Sequence, residues 1–126
     1  MELKRASVLK PLLWAGSSLK DLREMPDEVK ADMGHSLREI QKGKDPGNIK
    51  PLTHLGISGI WEIVTNDVGG TFRAIYTVKF ADAIVVLHVF QKKSKKGIST
   101  PKQEINLILE RFNTAKNLYL EWKGNK

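Results

Sequence analysis

Alternation of apolar and polar residues is clearest from Thr71 to Phe80. Phe72, Ala74, Tyr76 and Val78 fall on one side, and Thr71, Arg73, Ile75, Thr77 and Lys79 on the other. A period of two predicts a β-strand with two distinct faces. Before it, Gly59 to Thr65 carries Ile60, Trp61, Ile63 and Val64, a second strand. Asn66-Asp67-Val68-Gly69-Gly70 separates the two and supplies glycines for a hairpin turn. After Ala81-Asp82, a tight second turn, Ala83 to Phe90 is apolar throughout except for His88. Such a run predicts a central strand covered on both faces. The three strands read as an antiparallel meander.

The rest of the chain is mostly helical in period. Gly16-Ser17-Ser18 offers a turn and an N-cap at Ser18, with Asp21 three residues on and Leu19 and Leu22 as the apolar face of a short helix. Pro26 restarts the chain at a first helical position, and Val29, Met33, Leu37 and Ile40 recur at helical spacing until Gly43. The pair predicts an antiparallel helical hairpin, with Gly34 read as a point of close helix contact. A last helix begins at Thr100-Pro101-Lys102-Gln103, a predicted capping box. Its apolar face is Ile105, Ile108, Phe112, Ala115, Tyr119 and Trp122. Val8 to Ala15 reads as a short strand that Pro11 confines to a sheet edge, and Lys44 to Thr53 as a loop. The predicted order is β-α-α-β-β-β-α, a single α+β domain over residues 1–126.

Composition narrows the classes of function. The 126 residues carry a net charge of +7 and 40% apolar residues, which suits one folded domain with one core. With no cysteine there is no disulfide or thiol chemistry, and three scattered histidines do not make a structural zinc site. The lack of cysteine fits a cytoplasmic protein, no apolar signal core follows Met1-Glu2-Leu3-Lys4-Arg5, and no apolar run approaches membrane-spanning length. A pI near 9.7 biases encounter toward polyanions: RNA, DNA or an acidic partner.

No phosphate-binding loop, nucleophile elbow or metal motif is present, and no cofactor is implied. What remains is basic. Phe90-Gln91-Lys92-Lys93-Ser94-Lys95-Lys96 puts four lysines in five positions between a strand and a helix, either a solvated loop or a seat for anions. Arg73, mid-strand, needs a partner or a ligand. Glu62 on the neighbouring strand offers a salt bridge, and a phosphate offers bidentate contact. Lys79 shares its side. Tyr76 reads as a core aromatic or a functional hydroxyl, and His88 as a hydrogen-bonded core residue or a catalytic one. Lys50 and His54 precede the meander as surface or binding residues.

Taken together, Lys50-Pro51-Leu52, Gly59-Ile60-Trp61-Glu62-Ile63, Gly70-Thr71-Phe72-Arg73-Ala74-Ile75-Tyr76, Leu87-His88-Val89-Phe90-Gln91-Lys92-Lys93 and Thr100-Pro101-Lys102-Gln103-Glu104-Ile105 resemble the RelE/ParE toxin superfamily, in its phage-derived HigB-like branch. The resemblance spans roughly Lys10 to Tyr119. It implies a RelE-like fold and the toxin of a type II toxin–antitoxin pair, neutralised by a helix-turn-helix, HigA-like antitoxin. It further implies an mRNA endoribonuclease working on the ribosome without a metal, through attack of the substrate's own 2′-hydroxyl. Arg73 then matches the arginine that contacts the scissile phosphate, and Lys92 and Lys93 the basic pair that stabilises charge. Lys50 falls near another basic position. Lys95, Lys96, Lys79 and His54 are assigned to RNA attraction. The acid/base position beyond the last strand holds no tyrosine or histidine, leaving His88, His54, Tyr76 or a lysine of lowered pKa for that task. Two other readings stand beside this one: a ParE-like inhibitor of DNA gyrase without nuclease activity, and a non-toxic basic nucleic-acid-binding remnant.

Overall fold

The computed structural model describes residues 9–92 and 100–125. Five strands form one sheet in the order β1-β5-β4-β3-β2, where β1 is Leu12–Trp14, β2 Ile49–Pro51, β3 Ile60–Asp67, β4 Gly70–Thr77 and β5 Ile84–Lys92. The predicted meander is β3-β4-β5, antiparallel throughout. The first strand joins it by pairing parallel to β5, and it lies at the edge, where Pro11 is tolerated. Its span is shorter than the predicted Val8 to Ala15.

Other predicted features change as well. The stretch from Lys44 to Thr53 is not all loop: β2 pairs antiparallel with β3 and covers that otherwise open edge. The third predicted strand ends at Thr77, because the chain turns where Thr77 Oγ1 bonds the carbonyl of Gly59 at 2.7 Å and accepts the Lys79 amide at 3.1 Å. Gly34 meets nothing: a Cβ there would have open space within 4 Å, so close helix contact is not its role.

Helix α1 (Ser18–Arg23) starts behind Ser17 rather than being capped by Ser18. Ser18 is fully buried and its hydroxyl donates to the Val86 carbonyl at 3.2 Å. Helix α2 (Asp27–Gln41) follows Pro26 as its N-cap and buries the predicted stripe Val29, Met33, Leu37 and Ile40. Helix α3 (Lys102–Gly124) has Pro101 at its N-cap with no side-chain cap bond, so the Thr100–Gln103 box does not form. It buries Ile108, Ala115 and Tyr119.

The sheet separates two cores. On one face Ile63, Phe72, Ala74, Tyr76, Val86 and Val89 pack with the α2 stripe, and Leu22 and Met25 close the edge. On the other, Ile60, Ile75, Val85, Leu87 and Phe90 pack with Ile108 and Ala115 of α3. Strand β5 serves both faces, which explains its unbroken apolar run. Its register with β4 slips at one place: Ile75 pairs with His88 and Tyr76 with Val86, leaving Leu87 as an extra residue, a β-bulge.

Candidate functional site

The α3 face of the sheet carries a polar row beyond its apolar core. Lys50 of β2 stands directly opposite Glu62 of β3 in the antiparallel register. Glu62 reaches diagonally to Arg73 of β4, whose direct partners are Val64 and Phe90. Lys92 ends β5 on the same side, opposite Thr71. These four residues, drawn from four strands, line a groove of about 420 Å³ with His54, Leu52, Thr100 and Ile105. The β2–β3 loop forms one wall and the approach to α3 the other.

The floor of this groove is electrostatically unusual. Arg73 and Glu62 are both buried, at 7% and 3% exposure, and form an ion pair through Arg73 Nη1. The Arg73 Nε–H is buried and has no acceptor. A buried donor left unmade costs about 1–3 kcal/mol, so an oxygen ligand at this position has a favourable place to bind. Lys92 is 6% exposed and makes no ion pair among the described residues. Its pKa lies below the ordinary lysine value. Burial is the largest cause; the Arg73 charge adds to the depression, Glu62 opposes it, and Lys50 adds a smaller contribution. Three cations thus face one carboxylate.

His54 sits at the rim, exposed, with φ at 67°. Among the described residues it is the one non-glycine in the left-handed region, a conformation that costs energy outside glycine and concentrates at functional loops.

The structure brings Arg73, Lys92, Lys50 and His54 into one place and leaves other predicted site residues elsewhere. Tyr76 points to the opposite face, 2% exposed in the α2 core. Burial, with the charge of Asp45 added, holds its hydroxyl well above the ordinary tyrosine pKa. Lys79 lies past the end of β4, with its ammonium 6.0 Å from the Phe112 ring centre, away from the groove. His88 is on the correct face but is engaged beneath α3. Its Nε2 lies 2.5 Å from Glu104 Oε1, Arg111 Nη1 approaches Nδ1 at 3.4 Å, and its ring stacks on Phe90 at 4.8 Å. Arg111 also donates to the Leu87 carbonyl at 3.0 Å and to Ser17 Oγ at 3.1 Å. This network ties α3 to β5 and α1. Lys93, Lys95 and Lys96 fall outside the described residues.

Sequence reasoning treated Glu62 only as a possible partner of Arg73. Its place at the centre of the groove depends on β2, whose three residues gave no periodic signal. Glu104 and Arg111 were not singled out. Their spacing of seven, on either side of buried Ile108, was the available clue that both face the sheet.

Among the described residues no three histidine, cysteine, aspartate or glutamate side chains gather to hold a metal ion, and no helix is long and apolar enough to cross a membrane.

Fold and groove together define a small α+β domain with a cationic cleft on one sheet face. Residues 20–113 match the family described as "Phage derived protein Gp49-like (DUF891)", and the chain belongs to that family. Among solved structures it is similar to a double arginine-to-alanine mutant of the E. coli toxin RelE in the free state. That match has 17% identity and a TM-score of 0.53, over 70% of this chain and 88% of that one. It is also similar to the toxin–antitoxin complex RelBE2 from Mycobacterium tuberculosis, at 18% identity and a TM-score of 0.49, over 70% of this chain and 97% of that one. A search of curated proteins found no match. The chain therefore carries the RelE fold, as the sequence motifs implied.

Proposed function

We propose that this protein is the toxin of a type II toxin–antitoxin pair and that it cleaves mRNA on the ribosome as a metal-independent endoribonuclease. The observation that carries this reading is the unpaired Arg73 Nε–H on the floor of a groove shared with Lys92 and Lys50. It is a ready site for one phosphodiester. Family membership and the RelE fold support the class.

In the reaction, the ribose 2′-oxygen forms a bond to phosphorus and the bond to the 5′-oxygen breaks. The products are a 2′,3′-cyclic phosphate and a 5′-hydroxyl. Arg73 and Lys50 hold the phosphate and neutralise the charge that builds on it. When Arg73 turns to the phosphate it loosens its hold on Glu62, the carboxylate in the groove, which then accepts the 2′-hydroxyl proton. Lys92, with its lowered pKa, gives up a proton more readily than an ordinary lysine and supplies it to the leaving 5′-oxygen. His54 at the rim is the alternative proton donor. The partner that silences the protein is a HigA-like helix-turn-helix antitoxin.

Induction in a bacterium followed by transcript 5′-end mapping tests this reading. New ends within codons are the expected result, lost in Arg73→Ala and Lys92→Ala. Growth arrest with intact transcripts would overturn it. One observation favours the second reading, a ParE-like gyrase inhibitor: Glu62 already neutralises Arg73 in the free protein. That reading predicts a DNA-damage response with no new transcript ends.

A further inference from the structure

The opposite face of the sheet holds a second cavity, about 410 Å³, between the C-terminal end of α2 and the strands. Trp61 and Tyr76 form its apolar floor, and Lys10, Lys42 and Lys44 stand around it. The size is that of a ligand pocket. Its rim is preformed: the Lys10 amide bonds the Gln41 carbonyl at 3.1 Å, and Gln41 Nε2 donates to the Lys10 carbonyl at 2.7 Å.

Two features point to what fills it. Tyr76 is 2% exposed, yet its hydroxyl makes no hydrogen bond to the described residues, and it borders this cavity. The hydroxyl is not among the buried polar atoms left without a partner, so it is open at the cavity and free to donate to an occupant that carries an acceptor. The charge is also one-sided. Lys42 is partnered by Glu39 at 3.4 Å, but Lys10 and Lys44 have no ion pair among the described residues. Asp45, whose charge reaches Tyr76 and which accepts the Gly47 amide at 2.7 Å, is not part of the lining, whose charged side chains are all lysines. Val78 lines the cavity and, at 40% exposure, continues its apolar wall to the outer surface. A small molecule on the floor would leave Val78 in water, whereas a chain segment lying across the mouth would cover it.

We propose that this cavity docks an acidic peptide segment of a partner protein: an aromatic or branched aliphatic side chain enters over Trp61 and Tyr76 while flanking carboxylates lie against Lys10 and Lys44. The site is on the other side of the sheet from the Arg73 groove, so it stands whether or not the protein cleaves RNA.

The test is an NMR titration of the isotope-labelled full chain with the blocked hexapeptide Glu-Asp-Phe-Leu-Asp-Glu. Companion peptides replace the acids by lysine, or Phe and Leu by serine. The acidic peptide shifts the Trp61 indole and the Ile40 and Ile84 methyls saturably, and both companions leave them unmoved. Lys10→Ala with Lys44→Ala weakens binding about three- to tenfold, the scale of two exposed charge pairs. Tyr76→Phe weakens it about fivefold, the scale of one hydrogen bond. Unmoved pocket resonances, equal binding by the lysine companion, or full affinity in the double lysine variant would each overturn the proposal. So would 3-phenylpropanoate binding as tightly as the peptide, which would assign the cavity to a small carboxylate. Pocket resonances that move when residues 1–8 are removed would assign it to the chain's own N-terminal segment.

Discussion

Removing the negative charge of Glu62 is the sharpest perturbation available in the groove. Glu62 is 3% exposed and the Arg73 beside it 7%, while Lys92, at 6%, feels both charges. Glu62→Gln keeps the shape but leaves Arg73, Lys92 and Lys50 facing one another with no counter-charge. Breaking a buried pair from one side costs about 3–5 kcal/mol, mainly from the charge left behind. The reverse change differs in kind. Arg73→Gln leaves Glu62 with two cations still near, so its cost is smaller, about 1–3 kcal/mol. A domain of this size is stable by about 5–15 kcal/mol, so the larger loss is easily read as a drop in the guanidinium unfolding midpoint. The expected order is parent, then Arg73→Gln, then Glu62→Gln. Added sulfate should recover more stability in Glu62→Gln than in the parent, because an anion then replaces the missing charge. Equal losses in the two variants, or a Glu62→Gln loss under about 1 kcal/mol, would refute the claim that one carboxylate holds three cations together.

The pH dependence of Lys92 has a defined sign. Its folded pKa lies below the unfolded value of 10.5, so the unfolded chain holds the extra proton between the two values, and stability rises as pH climbs through that interval. Unfolding curves of the parent minus those of Lys92→Met should show this rise, and a flat difference would contradict it. Gly34→Ala should stabilise by about 1 kcal/mol, seen as a higher melting temperature, since the site is exposed and has open space. Gly16→Ala should destabilise by more than about 1 kcal/mol, because φ is +53° and the new Cβ would lie 2.6 Å from Arg111 Nε. Protection of the first turn of α3 against hydrogen exchange should fall in Glu104→Gln, which loses the charged partner of His88.

The parts of the fold written in periodicity were legible. The alternation around Arg73 placed that residue on the correct face, and the helical stripe from Val29 to Ile40 is buried as the spacing implied. What could not be read depended on partners distant in sequence. The strand Ile49–Pro51 exists because β3 offered an unpaired edge, not because its residues favour extension. The Thr100–Gln103 spacing satisfied a capping rule, but the helix begins after Pro101 and no such bond forms. Tyr76 and Arg73 lie three residues apart on one strand, so parity alone put them on opposite faces. The role suggested for Tyr76 came from residue type, which carries no geometry.

The extra residue in β5 has a consequence for how such a groove is maintained. Strand parity counted from Val85, on the α3 side, would send Val89 and Gln91 to that side and Phe90 and Lys92 away from it. Leu87 resets the count, so that Phe90 and Lys92 arrive beside Arg73. The lysine's membership in the cationic cleft is therefore a matter of phase. Drawing the same residues into a regular strand without the bulge, every basic side chain intact, would disassemble the cleft by carrying its last cation to the other side of the sheet.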